Sequence, residues 1–428
     1  MRYEIGAINL KGSLGALLSL TKKMPADGRG NGASISMMRD AKGNYHLVTT
    51  HTWFHASVEL DGLSCLTASR NDELVPYDDT PEDSAWGFDD PGAMLSVVSK
   101  LPKNSTVTLT RKKGASKILL ESGGNKSYEF QLSDPTMSLS GYGMHDSGTV
   151  VCSLDEDGLN RFCQNASMMA ALVEPSVTRP EFESLCLSSE KPGGKGDLKL
   201  RMSVNVNDKG MSLVNTCDSL CQASFTALLP KETSGGLKGF MSQISHGGAA
   251  DIVSYPVKAG EPKAKGIGIR GTGYELYLTC RTDDFPFAQI NQILDTVASP
   301  SVTVTEPTKQ FVDAFNRTSV LATAGQAAIT IGITDAGALT LEQHKGLLAR
   351  TVLARETLDA VSPVVFPDDE AFVTTNVNAN NLAKILKLLD KREMKVDIVG
   401  TSGLGILALR CGDTPYEGVC LVMAALRI

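Results

Sequence analysis

The chain has 428 residues, a formal net charge of −7 and 42% hydrophobic residues. Such a length suits several domains of about 100–200 residues each, with ordinary globular composition. The charge excludes a body coated in basic residues, although a basic surface confined to one side remains compatible with it.

Apolar positions three and four apart predict a helix over Leu10–Lys23, with Leu14, Leu17 and Leu18 inward and Lys11, Lys22 and Lys23 outward. Short β-rich runs follow at Ala33–Met38, Tyr45–Thr50 and Trp53–Leu60. A second helix is predicted over Pro91–Leu101, with Met94, Leu95 and Val98 inward and Lys100 and Lys103 at its end. Strands return at Thr106–Thr110, Lys117–Ser122 and Ser127–Leu132.

The plan restarts with a helix over Leu154–Ala171, where Leu159, Phe162, Cys163 and Ala166 share a side and Arg161 lies elsewhere. Strands are predicted at Phe182–Ser188, Lys199–Asn205, Gly210–Asn215 and Leu220–Ala227. A short helix at Gly236–Ile244, with Lys231 and Lys238 nearby, precedes strands at Ile252–Pro256, Lys265–Ile269 and Tyr274–Cys280. A third copy opens with a helix over Thr308–Ala322, with Phe311, Phe315, Val320 and Leu321 apolar and Lys309 and Arg317 polar. Strands follow at Ala327–Thr334, Ala338–Leu341 and Leu347–Leu353. The last helix, Asn378–Leu389, buries Leu382, Ile385, Leu386 and Leu389, and carries Lys384 and Lys387, with Lys391 and Arg392 just beyond. Strands at Met394–Val399, Gly405–Arg410 and Gly418–Leu426 close the chain.

The copies lie about 145 residues apart and each divides into two helix-and-sheet halves. An α+β class follows, with antiparallel strands on one side and helices on the other. The expected domains are 1–143, 144–303 and 304–428, with Gly- and Pro-rich joins at Gly141–Gly148 and Ser299–Pro307.

The motifs carry little chemistry. Gly266-Ile-Gly-Ile-Arg-Gly271 fits a dinucleotide fingerprint, but a β pattern and not a helix follows it, so turn glycines are expected. His46, His51 and His55 cluster without further ligands at metal spacing, so no metal is expected. Cys217 and Cys221 share a strand face and suit packing. Nine scattered cysteines without C-x-x-C pairs predict reduced thiols. No phosphate loop, no H-E-x-x-H and no nucleophile–base pair is present, so neither a cofactor nor catalysis is expected. The N-terminus lacks a basic stretch followed by an apolar run, and Val419–Leu426 is too short to span a bilayer, which predicts a cytoplasmic protein. What stands out is six helices with mostly basic outer faces in an acidic protein. Converging on one place, they make a surface that attracts phosphates without reading sequence.

Several stretches resemble the bacterial-type DNA polymerase sliding clamp family. Leu421-Val-Met-Ala-Ala-Leu-Arg-Ile428 is similar to that family's C-terminal signature, and Thr375-Asn-Val-Asn-Ala-Asn-Asn-Leu-Ala-Lys-Ile-Leu386 to its last inner helix and lead-in. Leu119-Leu-Glu-Ser-Gly123 with Tyr128-Glu-Phe-Gln-Leu132 resembles the end of its first domain. Leu276-Tyr-Leu-Thr-Cys-Arg-Thr-Asp-Asp-Phe-Pro286 resembles the end of its second. The resemblance spans the whole chain and implies three tandem clamp domains. Each has two helices packed on antiparallel sheets, and together they form half of a six-domain homodimeric ring around duplex DNA. It implies a non-enzymatic processivity factor that tethers a replicative polymerase and is loaded by a separate clamp-loader ATPase.

Carried over residue by residue, the ring-closing contact falls on Phe130 and Leu132 against Val320 and Leu321. The peptide pocket, which takes a short motif from the polymerase and other proteins, falls on Asn215, Cys217, Asp218, Leu220, Val422, Ala424, Ala425 and Leu426. The DNA-facing set is Lys11, Lys22, Lys23, Lys100, Lys103, Arg161, Lys238, Lys309, Arg317, Lys384, Lys387 and Lys391. The chain departs from the family with Thr216-Cys-Asp-Ser-Leu220 in place of Asp-Gly-His-Arg-Leu, and with Ala424-Ala425 in place of Met-Pro. That divergence, with long insertions around Lys191–Asp197 and Asp78–Asp89, suits a bacteriophage-encoded clamp. Two other readings follow from the same residues: a clamp-like interaction hub or viral late-transcription coactivator, and an enzyme with a dispersed site.

Overall fold

The computed structural model describes residues 2–21, 35–40, 42–68, 74–76, 85–112, 115–123, 126–133, 148–173, 184–206, 211–244, 248–320, 328–344, 351–359, 372–386, 388–389, 393–400 and 405–424. In chain order the first elements are β1 (Arg2–Gly6), α1 (Ala7–Thr21), β2 (Ile35–Arg39), β3 (Tyr45–His51), β4 (Phe54–Glu59), β5 (Ser64–Ala68), β6 (Leu74–Pro76) and β7 (Trp86–Phe88). Then come α2 (Pro91–Val98), β8 (Thr106–Thr110), β9 (Lys117–Ser122), β10 (Lys126–Ser133), β11 (Thr149–Leu154) and α3 (Glu156–Ala170). The middle holds β12 (Ser184–Glu190), β13 (Lys199–Val206), β14 (Met211–Leu220), β15 (Thr226–Pro230), α4 (Lys231–Met241), β16 (Ala250–Pro256), β17 (Ala264–Gly271), β18 (Tyr274–Thr279) and α5 (Phe287–Val297). The last are β19 (Val302–Pro307), α6 (Thr308–Ser319), β20 (Ala328–Thr334), β21 (Leu339–His344), β22 (Val352–Leu358), β23 (Phe372–Asn378), α7 (Ala379–Leu386), β24 (Glu393–Val399), β25 (Ile406–Arg410) and β26 (Gly418–Met423).

The strand pairs of the three sheets are antiparallel, and the class is α+β. By packing, the chain forms two compact units: Met1–Ser167 with Phe225–Thr282, and Met168–Ser224 with Asp283–Ile428. In the first unit, fourteen strands run in the order β11-β16-β17-β18-β4-β3-β2-β7-β10-β9-β8-β1-β5-β6. In the second, one sheet runs β12-β13-β14-β26-β25-β24-β19, and a separate one runs β22-β21-β20-β23.

Two helices begin where an aspartate supplies an acceptor for their free N–H groups. Asp90 caps α2 by accepting from the Ala93 amide at 2.8 Å, with Pro91 in the first turn. Asp155 accepts from the Gly158 amide at 2.7 Å ahead of α3, whose first turn carries Glu156 and Asp157. Most of the predicted inward positions are buried: Leu14 and Leu17 on α1, Met94 and Val98 on α2, Phe162 and Cys163 on α3, Phe311 and Phe315 on α6, Leu382 and Ile385 on α7, whereas Leu18 and Leu95, expected inward, are only half-buried at the edges of their helix faces.

One helix and several strands depart from expectation. α5 was not anticipated, although Ile290, Leu294 and Val297 recur at helical spacing and are buried. The strand expected at Leu347–Leu353 is β22, displaced to Val352–Leu358. Gly266, Gly268 and Gly271 are not turn residues but sit within β17. There they make room for rings of neighbouring strands: a Cβ at Gly266 falls 2.1 Å from the Tyr277 hydroxyl, and one at Gly271 falls 2.3 Å from the Tyr274 ring.

Candidate nucleic-acid interface and partner pocket

In the first unit four helices lie side by side. α1 touches both α2 and α4, and α4 is tied to α3 where the Ser167 hydroxyl donates to the Ser234 carbonyl and accepts from the Lys238 amide. The α1–α4 seam is closed by helical glycines. A Cβ at Gly12 meets the Gln243 carbonyl oxygen at 2.8 Å, and one at Gly239 meets Ser19 Cβ at 2.9 Å. Glycine costs an exposed helix about 1 kcal/mol relative to alanine; here it permits two backbones to approach.

This layer carries five of the predicted cations. Arg161 and Lys238 are exposed on α3 and α4, Lys100 and Lys103 are exposed just beyond α2, and Lys11 is half-buried on α1. In the second unit α6 touches α7, and Lys309 and Arg317 are exposed on α6. Arg317 is already engaged, its Nε and Nη2 donating to the two Glu356 oxygens at 2.9 and 3.2 Å. Lys22, Lys23, Lys387 and Lys391 lie outside the described residues, as does the Lys384 side chain on α7.

Of the predicted ring contact, Phe130 and Leu132 fall on a strand and Val320 falls at the end of a helix. Among the described residues, β10 pairs only with β9 along Lys126–Phe130, and only its end, Leu132 and Ser133, pairs with β7. Phe130 and Leu132 are half-buried there and Tyr128 is 36% exposed. In the second unit β22 ends its sheet among the described residues, where it is paired only with β21. It carries Leu353, 44% exposed, and Val320 at the end of α6 is 76% exposed. Leu321 lies outside the described residues.

The predicted pocket residues lie on β14 and β26, which pair with Ser212 opposite Val422 and Thr216 opposite Gly418. Side chains alternate between faces along a strand, so Val422 shares a face with Ser212, Val214 and Thr216. Asn215 is buried on the opposite face. Cys217 and Asp218 fall where the β13–β14 register shifts, Asp218 is exposed 3.9 Å from the Lys199 ammonium, and Leu220 is 57% exposed. Ala424 is exposed, and Ala425 and Leu426 lie outside the described residues.

Sequence reasoning missed the groups that distinguish this face. Arg201 on β13 is 5% exposed and sits in one cross-strand row with Ser188, Thr216 and Gly418. Above it, α5 supplies Asn291, whose side-chain oxygen accepts from both Arg201 terminal nitrogens at 3.3 Å, and Phe287, whose ring lies 6.0 Å from the guanidinium carbon. The Asp295 carboxylate of α5 accepts from the Tyr416 hydroxyl. Farther along the face, the Arg410 fork donates to both oxygens of buried Asp397, which also accepts from Thr303 at 2.7 Å.

The clustered histidines each have local partners. His46 bonds Asp40 at 3.2 Å and Ser57 at 3.3 Å, His55 bonds Thr50 at 2.8 Å, and His51 stacks on Phe54. None of the nine cysteines, all among the described residues, is joined in a disulfide. Burial holds the thiols of Cys163 and Cys280 well above the usual range. No helix among the described residues is long and apolar enough to cross a membrane.

This combination of antiparallel sheets with a layer of inward-packed helices is the fold of the bacterial DNA polymerase sliding clamps. The DNA polymerase sliding clamp of Bacillus subtilis superposes with a TM-score of 0.72 at 12% identity, covering 100% of this chain and 99% of that one. The beta subunit of DNA polymerase from Streptococcus pyogenes gives 0.73 at 13% identity, and the DNA polymerase III subunit beta from Pseudomonas aeruginosa 0.70 at 13%, each covering 100% of both chains. No family model and no curated protein matches the chain.

Proposed function

We propose that this chain is a DNA sliding clamp: three tandem modules, 1–143, 144–303 and 304–428, that pair head to tail with a second copy and enclose duplex DNA. The observation that carries the reading is the clamp fold over the full length of the chain, joined to a contiguous helix layer bearing Arg161, Lys238, Lys100, Lys103 and Lys11. In a closed ring the contact with DNA is topological. Weak contacts to phosphates then suffice, and they allow sliding without reading bases.

Two open edges of different sequence, β10 and β22, suit a heterologous contact in which each chain offers one to the other. Antiparallel pairing of the two continues both sheets, with Phe130, Leu132, Val320 and Leu321 as the apolar contact. Tethering of a polymerase through a short peptide at the face bearing Leu220 and Val422 raises its effective concentration at the primer end. Loading onto closed DNA falls to a separate ATPase.

Light scattering tests the assembly: the native chain is expected at dimer mass and Val320→Lys with Leu321→Lys at monomer mass, and an unchanged mass removes the contact. The DNA reading is tested by Arg161→Glu with Lys238→Glu. Binding is expected to weaken alike on unrelated duplexes, with a flatter salt dependence; a loss confined to one sequence contradicts it.

A further inference from the structure

Two arginines are buried on the same face of the β12–β19 sheet, and they are satisfied very differently. Arg410 is saturated: it donates to both oxygens of Asp397 and also to the carbonyls of Gly412 and Asp413. Arg201 has only long contacts. Both of its terminal nitrogens share the one Asn291 oxygen at 3.3 Å, and Nη2 stands 3.5 Å from a single oxygen of Glu190. Its Nε has no hydrogen-bond partner among the described residues, nor have Ser188 Oγ and Thr216 Oγ1 in the same row. The row ends at Gly418, which adds no side chain.

A guanidinium fork meets a carboxylate by two parallel bonds of about 2.7–2.9 Å. Nothing at Arg201 supplies that, and a buried cation left half-satisfied is costly. Burial pulls its pKa below the usual arginine value and the charge of Glu190 pulls it back, so the site favours a nearby anion. Glu190 is the group that can leave: its side chain is 28% exposed, against 6% for that of Arg201. Leu220 pairs with Lys199, two residues along β13 or about 7 Å away, and gives the same site an exposed apolar lip.

We propose that Arg201 determines the specificity of the partner pocket, selecting a linear peptide that presents a carboxylate side chain, with Glu190 holding the place of that carboxylate until the peptide arrives. The inference rests on the peptide pocket of the function proposed above and names the chemistry of its ligand. On binding, the peptide carboxylate takes the fork, Glu190 swings to solvent, and an apolar neighbour in the peptide covers Leu220.

The test uses the full-length chain and fluorescent pools of randomised nonapeptides, each with one position fixed as Glu, Gln or Leu, read by anisotropy. The Glu pool at one position is expected to bind about tenfold more tightly than the matching Gln pool, as a completed charge pair requires. Arg201→Met is expected to erase that difference. Glu190→Gln, which removes the stand-in but leaves the partly exposed surface intact, is expected to tighten the Glu pool several-fold; a merely structural Arg201–Glu190 pair predicts no gain. Equal binding of Glu and Gln pools, a Glu preference that survives Arg201→Met, or no gain in Glu190→Gln overturns the proposal while leaving the pocket in place. Failure of every pool to bind removes the pocket and the proposal together.

Discussion

The two faces of the β12–β19 sheet are both buried, yet they are built from opposite chemistry. One carries Leu187, Met202, Leu213, Leu421, Leu409 and Val396, which the strand pairing places on the same side. The other carries Ser188, Arg201, Ser203, Thr216, Arg410 and Asp397, all under 9% exposed. The first face is stabilised by removal of apolar area from water and tolerates no particular partner. The second stands only where each polar group finds one, so its residues are individually decisive or individually irrelevant according to whether they are paired.

The sharpest way to break this comparison is Arg410→Ala. It leaves the Asp397 carboxylate buried with Thr303 alone, and a loss of about 3–5 kcal/mol in urea unfolding is expected. A small loss means the polar face does not depend on pairing. On the opposite face Leu213→Ala is expected to cost about 2–5 kcal/mol by leaving a cavity, with no dependence on pH or salt.

Glu306 sharpens the comparison because it is a carboxyl on the apolar face, 1% exposed, with Oε1 lacking a hydrogen-bond partner among the described residues. Burial, with the negative charge of Asp359 adding to it, pushes its pKa up to about 7 from an ordinary 4.5. Between those values the folded protein holds a proton that the unfolded chain releases. Its contribution to stability is therefore complete below 4.5 and is lost as pH rises to about 7. Glu306→Gln is expected to raise the Tm by a few degrees at about pH 8 and to leave it unchanged near pH 4; equal shifts at both pH values contradict the burial argument. The smallest effect is expected at Ser203→Ala. Its hydroxyl is fully buried without a partner among the described residues, so removal changes stability by less than about 1 kcal/mol and in the favourable direction.

The same sheet shows why part of the molecule was legible and part was not. Helical spacing located α2, α3, α6 and α7 with their buried faces, because each covers a sheet with a continuous apolar stripe. Thr106–Thr110 and Lys117–Ser122 were read to the residue because they alternate cleanly. Along β13 the same alternation conceals the outcome. Lys199, Arg201, Ser203 and Asn205 look like a solvent-facing set, yet Arg201, Ser203 and Asn205 are buried, with Asn291 of α5 bonded to Arg201. That helix was overlooked because Gln289, Asn291, Gln292 and Asp295 dilute its apolar spacing, and with it went Asn291, the residue that marks Arg201. β22 was misplaced because an edge strand beside an open surface is under no demand to alternate: Leu353 faces out while Glu356 turns toward Arg317. The clustered lysines were visible as residues, but their gathering into one layer depends on Gly12 and Gly239, whose purpose appears only when two helices meet.

The unpaired borders of β10 and β22 have a cost of their own. A row of amide and carbonyl groups left open at a sheet border is a template for any passing strand, so an uncovered border promotes indiscriminate, growing association. Lys126 and Glu129 on one border, Arg355 and Glu356 on the other, are charges that oppose a mismatched guest. At raised concentration the chain is expected to clump through these borders unless a matching strand covers them.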